Sequence, residues 1–235
     1  MAAPSSGTTR GALPEQEIRP VARPIPLRQS VYEALVELIV VGGLPAGQHL
    51  VEAELARRLG VSRQPVREAL HRLEAEGWVD IRPAQGAFVH VPTEQEIDQL
   101  CDVRGLLEAE AARLAARAAT PEAIVRLREG WRAGLDAFEA DDLERVVAAN
   151  AALHAQVTVL SGNAVIAELS AQVERRMRWY YRPVAFGRGR ESWIEHAALI
   201  DAIEAGDEDA AAAIMRAHTQ HTKAMYHEQT PAAGR

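Results

Sequence analysis

The 235-residue chain carries 26 Lys and Arg against 33 Asp and Glu, a net charge of −7, and 48% of its residues are hydrophobic but only 5% aromatic. This length suits one large or two small domains, and the alanine-rich, aromatic-poor composition favours closely packed helices over a β-sandwich. No apolar run reaches membrane-spanning length, the N-terminus lacks an apolar signal core, and a single cysteine, Cys101, excludes an intramolecular disulfide, so we expect a cytoplasmic protein.

Residues 1–26 predict a disordered N-terminal arm, because they contain five prolines and show no apolar periodicity. Residues 27–43 predict an amphipathic helix that ends at two glycines. Its apolar stripe comprises Val31, Leu35, Leu38 and Ile39. A short extended segment follows at 49–51.

The next segment has the pattern of a helix-turn-helix. Gly60 stands at the turn, where glycine accepts a positive φ without steric cost. Ser62 occupies the N-cap position of the second helix. Because Pro65 falls at the third helical position and has no N–H, the Ser62 hydroxyl is expected to bond the N–H of Gln64. The apolar face of this second helix comprises Val66, Leu70 and Leu73.

The opposite face of the second helix presents hydrogen-bond donors near its N-terminal end, where a recognition helix contacts bases and phosphates. They are Arg63, Gln64, Arg67 and His71. Two alternating runs at 78–81 and 87–91, joined by a turn at 83–86, predict a β-hairpin that forms a wing. The overall negative charge does not exclude DNA binding, because affinity depends on the local basic patch. A plain surface helical hairpin with solubilising charges is the alternative.

The segment LVEAELARRLGVSRQPVREALHRLEAEGWVDIRPAQGAFV, residues 50–89, resembles the winged helix-turn-helix of the GntR family of bacterial transcriptional regulators. The matching positions are Leu55-Ala56, residues 60–63, residues 65–70, Leu73, Glu76-Gly77 and Gly86. The resemblance implies that Arg63, Arg67 and the wing-tip Gly86 contact DNA. Gln64 replaces a common Thr and Ala53 replaces a common DNA-contacting Arg, so we expect a different operator preference and one phosphate contact fewer.

Pro92 and Thr93 mark the boundary between a winged domain at 27–92 and a second domain at 93–230. Thr93 is a predicted N-cap, and Glu96 completes a capping box. No strand pattern follows. Helices are predicted at 94–119, 121–139, 141–160, 163–181, 192–205 and 207–228. Helices of this length pack as an antiparallel bundle, so the predicted fold class is mainly α, a winged helix-turn-helix followed by an all-α bundle.

Polar side chains interrupt the apolar pattern of the bundle. Arg104 lies within the stripe of the first helix, where a buried guanidinium requires a partner. Its spacing supports equally an ion pair with Glu108 and a guanidinium that grips a ligand carboxylate in a pocket. The remaining candidates are Asn150 and His154 on one helix face, with His196 and His218 on two other helices. Imidazoles suit zinc, nickel, copper or iron(II), although a single histidine is more often a plain core or surface residue.

The C-terminal half resembles the FCD ligand-binding domain of the FadR subfamily of GntR regulators, through residues 103–116, 153–163, 195–207 and 213–220. The resemblance implies that His154, His196 and His218 hold a metal ion together with position 150, and that Arg104 assists in binding a small carboxylate effector. Zinc and nickel are the leading candidates. Asn150 replaces the Asp of the family, which keeps an oxygen ligand but removes its negative charge. His221 and His227 fall outside the pattern and are predicted at the surface.

Together these features predict a homodimeric, metabolite-responsive regulator, by default a repressor, that binds a near-palindromic operator in double-stranded DNA. It is not expected to be an enzyme. One alternative is a DNA-binding protein whose bundle only dimerises. The other is a metal-dependent enzyme acting on a small acid, for which Glu195 is a candidate base, but no nucleophile constellation or phosphate loop accompanies it.

Overall fold

The computed structural model describes residues 26–229, so the predicted arm at 1–26 lies outside the described residues except for Pro26. In chain order the elements are α1 (Leu27–Val40), β1 (His49–Leu50), α2 (Glu52–Leu59), α3 (Arg63–Ala75), β2 (Val79–Arg82), β3 (Gly86–Val89), α4 (Glu94–Ala118), α5 (Pro121–Glu139), α6 (Leu143–Leu160), α7 (Ala164–Tyr181), a 3-10 turn (Arg182–Val184), α8 (Ala185–Glu204) and α9 (Glu208–Gln229). The mainly helical fold predicted from the sequence is confirmed.

Helices α2 and α3 form the predicted helix-turn-helix. Gly60 ends α2 with a φ of 68°, and Ser62 occupies the N-cap position of α3 in extended conformation. The prediction that the Gln64 N–H donates to the Ser62 hydroxyl is wrong, since the Ser62 side chain caps no N–H among the described residues. Pro65 at the third position removes one of the two amides that an N-cap normally serves, which leaves little to orient the hydroxyl.

The wing is part of a three-stranded antiparallel sheet in the order β1-β3-β2. Val79 pairs with Val89 and Arg82 pairs with Gly86, so β2 and β3 form the predicted hairpin. The short strand β1 adds to the other edge of β3, with His49 opposite Phe88. The sheet thereby fixes the hairpin next to the start of α2 and the exposed side of α3.

Helices α4 to α9 form the bundle, with α4 packed most extensively against α9. The capping box is present at the start of α4, because Glu96 donates its N–H to Thr93 Oγ1 over 3.2 Å and accepts the Thr93 N–H over 2.8 Å. The connection after α7 differs from the predicted break at 183–190. Pro183 is tolerated in the first turn of the 3-10 segment, and α8 begins at Ala185 with a kink at Gly189, whose φ is 54°.

One apolar core runs from the winged domain into the bundle. Trp78, which follows α3, stacks on Trp179 of α7 with ring centroids 5.6 Å apart, and Ile97 of α4 belongs to the same buried cluster. Across the boundary, His90 Nδ1 lies 2.8 Å from Asp80 Oδ1 and its Nε2 lies 3.2 Å from Glu96 Oε2. The winged domain is therefore packed directly on the bundle. Within residues 26–229, no helix combines the length and apolarity needed to cross a membrane.

Candidate functional site

The predicted DNA-reading side chains lie together on one exposed face. Arg63, Gln64, Arg67 and His71 are all exposed on α3, and Gly86 is exposed at the start of β3. Arg67 is held in place by Glu52 of α2, since its Nε lies 2.9 Å from Glu52 Oε1 and its Nη2 lies 2.8 Å from Oε2. Gln64 donates a hydrogen bond of 2.9 Å to Glu68 one turn further along α3. These contacts orient the donors without burying them.

The wing carries a side-chain stack that the sequence pattern did not indicate. The His49 and Phe88 rings are stacked with centroids 4.7 Å apart, and the Arg82 guanidinium lies 4.3 Å from the Phe88 ring centroid. Gly86 has a φ of +99°, and a Cβ there would lie 2.9 Å from His49 Nε2. The positive φ therefore favours glycine at the wing tip, and a Cβ there would have to displace the His49 ring. Arg82 and His49 extend the basic surface beside α3.

Three buried histidines meet in the bundle core. His154 of α6, His196 of α8 and His218 of α9 each offer a ring nitrogen, and these nitrogens all lie within 4.8 Å of one another. His154 Nε2 lies 3.3 Å from His196 Nε2. The structure thus brings together the three histidines that the sequence places on separate helices.

Two carboxylates fix the orientation of these rings. Glu108 Oε2 lies 2.9 Å from His154 Nδ1, and Glu195 Oε2 lies 2.7 Å from His218 Nδ1. A carboxylate beside Nδ1 favours the proton on that nitrogen, so that Nε2 carries the lone pair. Burial lowers the pKa of His154 and lowers the pKa of His218 to about 4. Both rings are therefore neutral at pH 7, which is the form that ligates a metal.

Arg104 of α4 forms one of the two arrangements that the sequence left open. Its Nε donates to Glu108 Oε1 over 2.9 Å, which is the predicted ion pair, and its Nη2 lies 3.2 Å from His154 Nε2. Burial alone would raise the pKa of Glu108, but the Arg104 guanidinium and His154 hold it at about 2. The carboxylate is thus permanently charged, and the guanidinium reaches the histidine cluster rather than solvent.

Glu195 is a second anchor, and sequence reasoning missed its position. It accepts hydrogen bonds from His218 and, over 2.6 Å, from His221 Nδ1, and it also pairs with the buried Arg188. Burial would raise its pKa, but these donors hold it at about 2. His221 and His227 are exposed, as predicted. No signal in the sequence links Glu195 to His218, which is 23 positions away on another helix.

Asn150 completes the group predicted from the sequence. It lies one turn before His154 on α6 and is buried, yet its Oδ1 accepts no hydrogen bond within the described part of the chain. A buried acceptor without a partner calls for an explanation. Three neutral imidazoles and one unpaired amide oxygen fit a borderline divalent ion such as zinc or nickel.

A cavity of about 300 Å³ opens between α6 and α7 and reaches Glu108 and His154. Small residues of both helices supply its apolar wall. The polar side chains that line it are Thr158, Ser170, Glu174, Arg175 and Arg178. Its volume matches the lower end of pockets that bind small molecules. Arg178 also reaches α1, where its Nη2 lies 3.5 Å from Glu37 Oε1.

Two family descriptions match successive parts of the chain. Residues 27–89 match the bacterial regulatory proteins of the gntR family, and residues 99–221 match the FCD domain. The second match alone covers more than half of the sequence. Both matches agree with the two regions defined by the fold.

Individual relatives point in the same direction. The Nta operon transcriptional regulator of Aminobacter aminovorans is 30% identical over 176 residues, covering 74% of this chain and 82% of that protein. The HTH-type transcriptional repressor RspR of Escherichia coli is 28% identical over 203 residues, covering 83% and 86%. The solved structure of Escherichia coli McbR/YncC has a TM-score of 0.75 at 26% identity, covering 87% of this chain and 99% of that one.

Proposed function

The chain belongs to the GntR family of bacterial regulatory proteins, as an FCD-containing member of the FadR subfamily, and from this premise we propose that it is a cytoplasmic, homodimeric repressor controlled by a small carboxylate. Like the proteins it matches, it is a transcriptional regulator and not an enzyme. The assignment as a repressor is supported by the relative from Escherichia coli that bears that name.

In the proposed complex, α3 enters the major groove and the wing lies beside it. Arg63, Gln64, Arg67 and His71 face the bases and phosphates, and Gly86 allows the wing backbone to approach the DNA. Arg82 adds a cation to the wing surface. Two copies of this surface, held apart by the bundles, read the two halves of a near-palindromic operator.

The buried cluster of His154, His196 and His218, of which His154 lines a small-molecule-sized cavity, carries the proposal for the input. With Asn150, these residues would hold a divalent ion, zinc or nickel first, which when bound supplies positive charge and exchangeable positions for a carboxylate. Glu108 and Glu195 keep two of the rings in the ligating tautomer. Arg104 neutralises Glu108 and offers a guanidinium to an anionic ligand beside His154.

Regulation requires that the effector bind two arrangements of the dimer with different affinity. Helix α7 supplies a route for this, because it lines the cavity and also packs on the winged domain through the Trp78–Trp179 stack. A ligand that moves α7 therefore changes the placement of α3. The repressor leaves its operator when the effector favours the geometry whose recognition helices no longer match the half-site spacing.

The metal site is tested by titrating chelator-treated full-length protein with Zn²⁺ or Ni²⁺ and measuring thermal unfolding and bound metal. We expect wild type to be stabilised by about 2.7 kcal/mol when the free ion is a hundredfold above Kd, because only the folded state holds the ligands together. His154→Ala should lose this stabilisation and the bound metal, while its metal-free form keeps DNA binding.

His227→Ala is the matched control, since this exposed histidine contacts Asp98 and lies outside the cluster. Equal metal retention in His154→Ala and His227→Ala would reject the site. If wild type itself retains no metal and gains no stability, the alternative is favoured in which the protein binds DNA and its bundle only dimerises.

A further inference from the structure

Glu174 is a carboxyl group without a partner on the wall of the cavity. It is half-buried on α7 and lines the same space as Glu108 and His154. It forms no hydrogen bond or ion pair with any residue of the described chain, and Arg178, one turn further along α7, is directed to Glu37 instead. Burying an unpaired charge is costly, so Glu174 is either neutral or awaits a cation.

Arg175 and Arg178 also line the cavity, but neither forms an ion pair with Glu174 in the described part of the chain. The Glu108 carboxylate is already paired with Arg104 and His154. Burial raises the pKa of Glu174 to about 7, although the Arg104 and Arg178 guanidinium groups act in the opposite direction. One turn before Glu174, the Ser170 Oγ is buried and has no hydrogen-bond partner in the part of the chain that the structure describes. The α7 wall therefore presents two unsatisfied polar groups to a ligand.

We propose that the cavity binds a small carboxylate that also carries a protonated amine, with the ammonium group at Glu174 and Ser170 and the carboxylate toward the histidine end. This inference rests on the proposed function and narrows its effector to an amino acid. An ammonium group fits better than a hydroxyl, because only a cation compensates a desolvated carboxylate. The volume of about 300 Å³ accommodates molecules of this size.

The test compares two series of probes in which only the substituent beside the carboxylate changes, from amine to hydroxyl to hydrogen. The first series is aspartate, malate and succinate, and the second is alanine, lactate and propionate. Binding to full-length protein saturated with Zn²⁺ is measured by calorimetry. In at least one series we expect the amine to bind about tenfold or more tighter than both analogues, since a site built for a charged donor discriminates against its absence. Glu174→Gln should remove most of that preference and leave the affinity for the unsubstituted acid unchanged.

Glu168→Gln is the matched control, because Glu168 is exposed on the same helix and does not line this cavity. It should behave as wild type. Thermal unfolding of ligand-free Glu174→Gln should not fall below wild type, since the substitution removes an uncompensated carboxyl; a large loss would assign Glu174 a structural role and overturn the proposal.

The proposal is also overturned if the hydroxyl or unsubstituted acid binds as tightly as the amine, or if Glu174→Gln discriminates as wild type does. Absence of binding by all six probes overturns it as well. In that case the Zn²⁺ and Ni²⁺ titration of wild type and His154→Ala still decides the metal site, so failure of this inference is distinguishable from failure of the proposed function.

Discussion

In the free protein Arg67 is bound to Glu52, so it can contact DNA only if these hydrogen bonds change. The pair is partly exposed, with 55% of the Arg67 side chain and 33% of the Glu52 side chain accessible. Exposed pairs of this kind contribute only about 0–1 kcal/mol, so exchange of the carboxylate for a phosphate or a base edge is inexpensive. We therefore expect Glu52 to hold the guanidinium extended above α3 and to lower the entropy lost if Arg67 contacts DNA.

Arg67→Ala should weaken operator binding by about 1–3 kcal/mol, because it removes a contact to a base or to a phosphate that fixes the register. Fluorescence anisotropy with a labelled operator duplex at several salt concentrations measures the effect. Arg57→Ala is the control, since Arg57 is exposed on α2 and pairs with Glu54. Equal operator affinity of wild type and Arg67→Ala would exclude α3 as the recognition helix.

The individual site residues were predictable to different degrees. The Arg104–Glu108 pair follows from a four-residue spacing on one helix face, so the sequence alone indicated it. The meeting of His154, His196 and His218 depends on how three helices pack, and only the family resemblance indicated it. The contact of Glu195 with His218 was not predictable, because no periodicity relates two helices that are brought together by the bundle.

At the scale of elements, capping and breaking residues located most helix boundaries. Thr93 and Thr120 cap α4 and α5 as expected, and Pro121 begins α5. The prediction was wrong in part between α7 and α8, where Pro183 and the following glycines indicated a loop. Proline is compatible with the first turn of a helix, so helical turns form after it, and the helix is interrupted only at Gly189, whose backbone angles are not helical. The kinked segment holds Arg188, which then reaches Glu195.

Helix α5 approaches α8 at Gly134, where a Cβ would overlap the ring of Trp193. Trp193 also accepts a hydrogen bond of 2.7 Å at its carbonyl oxygen from Trp131 Nε1 and packs edge-on against His196. The ring therefore has little freedom to move. We expect Gly134→Ala to destabilise the protein by about 1–3 kcal/mol, as overpacking does.

Chemical denaturation of Gly134→Ala and Gly130→Ala provides a matched measurement on one helix. A Cβ at Gly130, one turn earlier, would lie 3.4 Å from the end of the flexible Gln156 side chain. Gly130→Ala should therefore be neutral or stabilise the protein by up to about 1 kcal/mol through helix propensity. Equal stability of both variants would contradict the close contact between α5 and the Trp193 ring.

At the scale of the whole molecule, α7 connects the cavity with the winged domain. One side of α7 presents Glu174 to the cavity. On the other side Trp179 stacks on Trp78, and Arg178 extends from the cavity wall to Glu37 of α1. Arg176 also lies over Trp78, with 5.4 Å between the guanidinium carbon and the ring centroid. The proposed coupling therefore needs no flexible linker, because the helix that lines the cavity is also a helix on which the winged domain packs.

A single winged domain offers four candidate base-reading side chains on α3, and the chain as a whole is negatively charged. Specific affinity therefore depends on two domains acting together. We expect sedimentation to give twice the chain mass of 25.6 kDa, and a duplex with both half-sites to bind about 10²-fold to 10⁴-fold more tightly than one with a single half-site, because the second contact becomes intramolecular.

Insertion of five base pairs between the half-sites rotates one of them by about half a turn of DNA. In the proposed dimer the bundles fix the separation and orientation of the two α3 helices, so affinity for this duplex should fall to that of a single half-site. A duplex with the same spacing but a changed central sequence is the control and should bind nearly as well as the operator. Binding that tolerates the insertion would mean that the winged domains move independently, and the continuous core from α3 to α7 would then not transmit the effector signal.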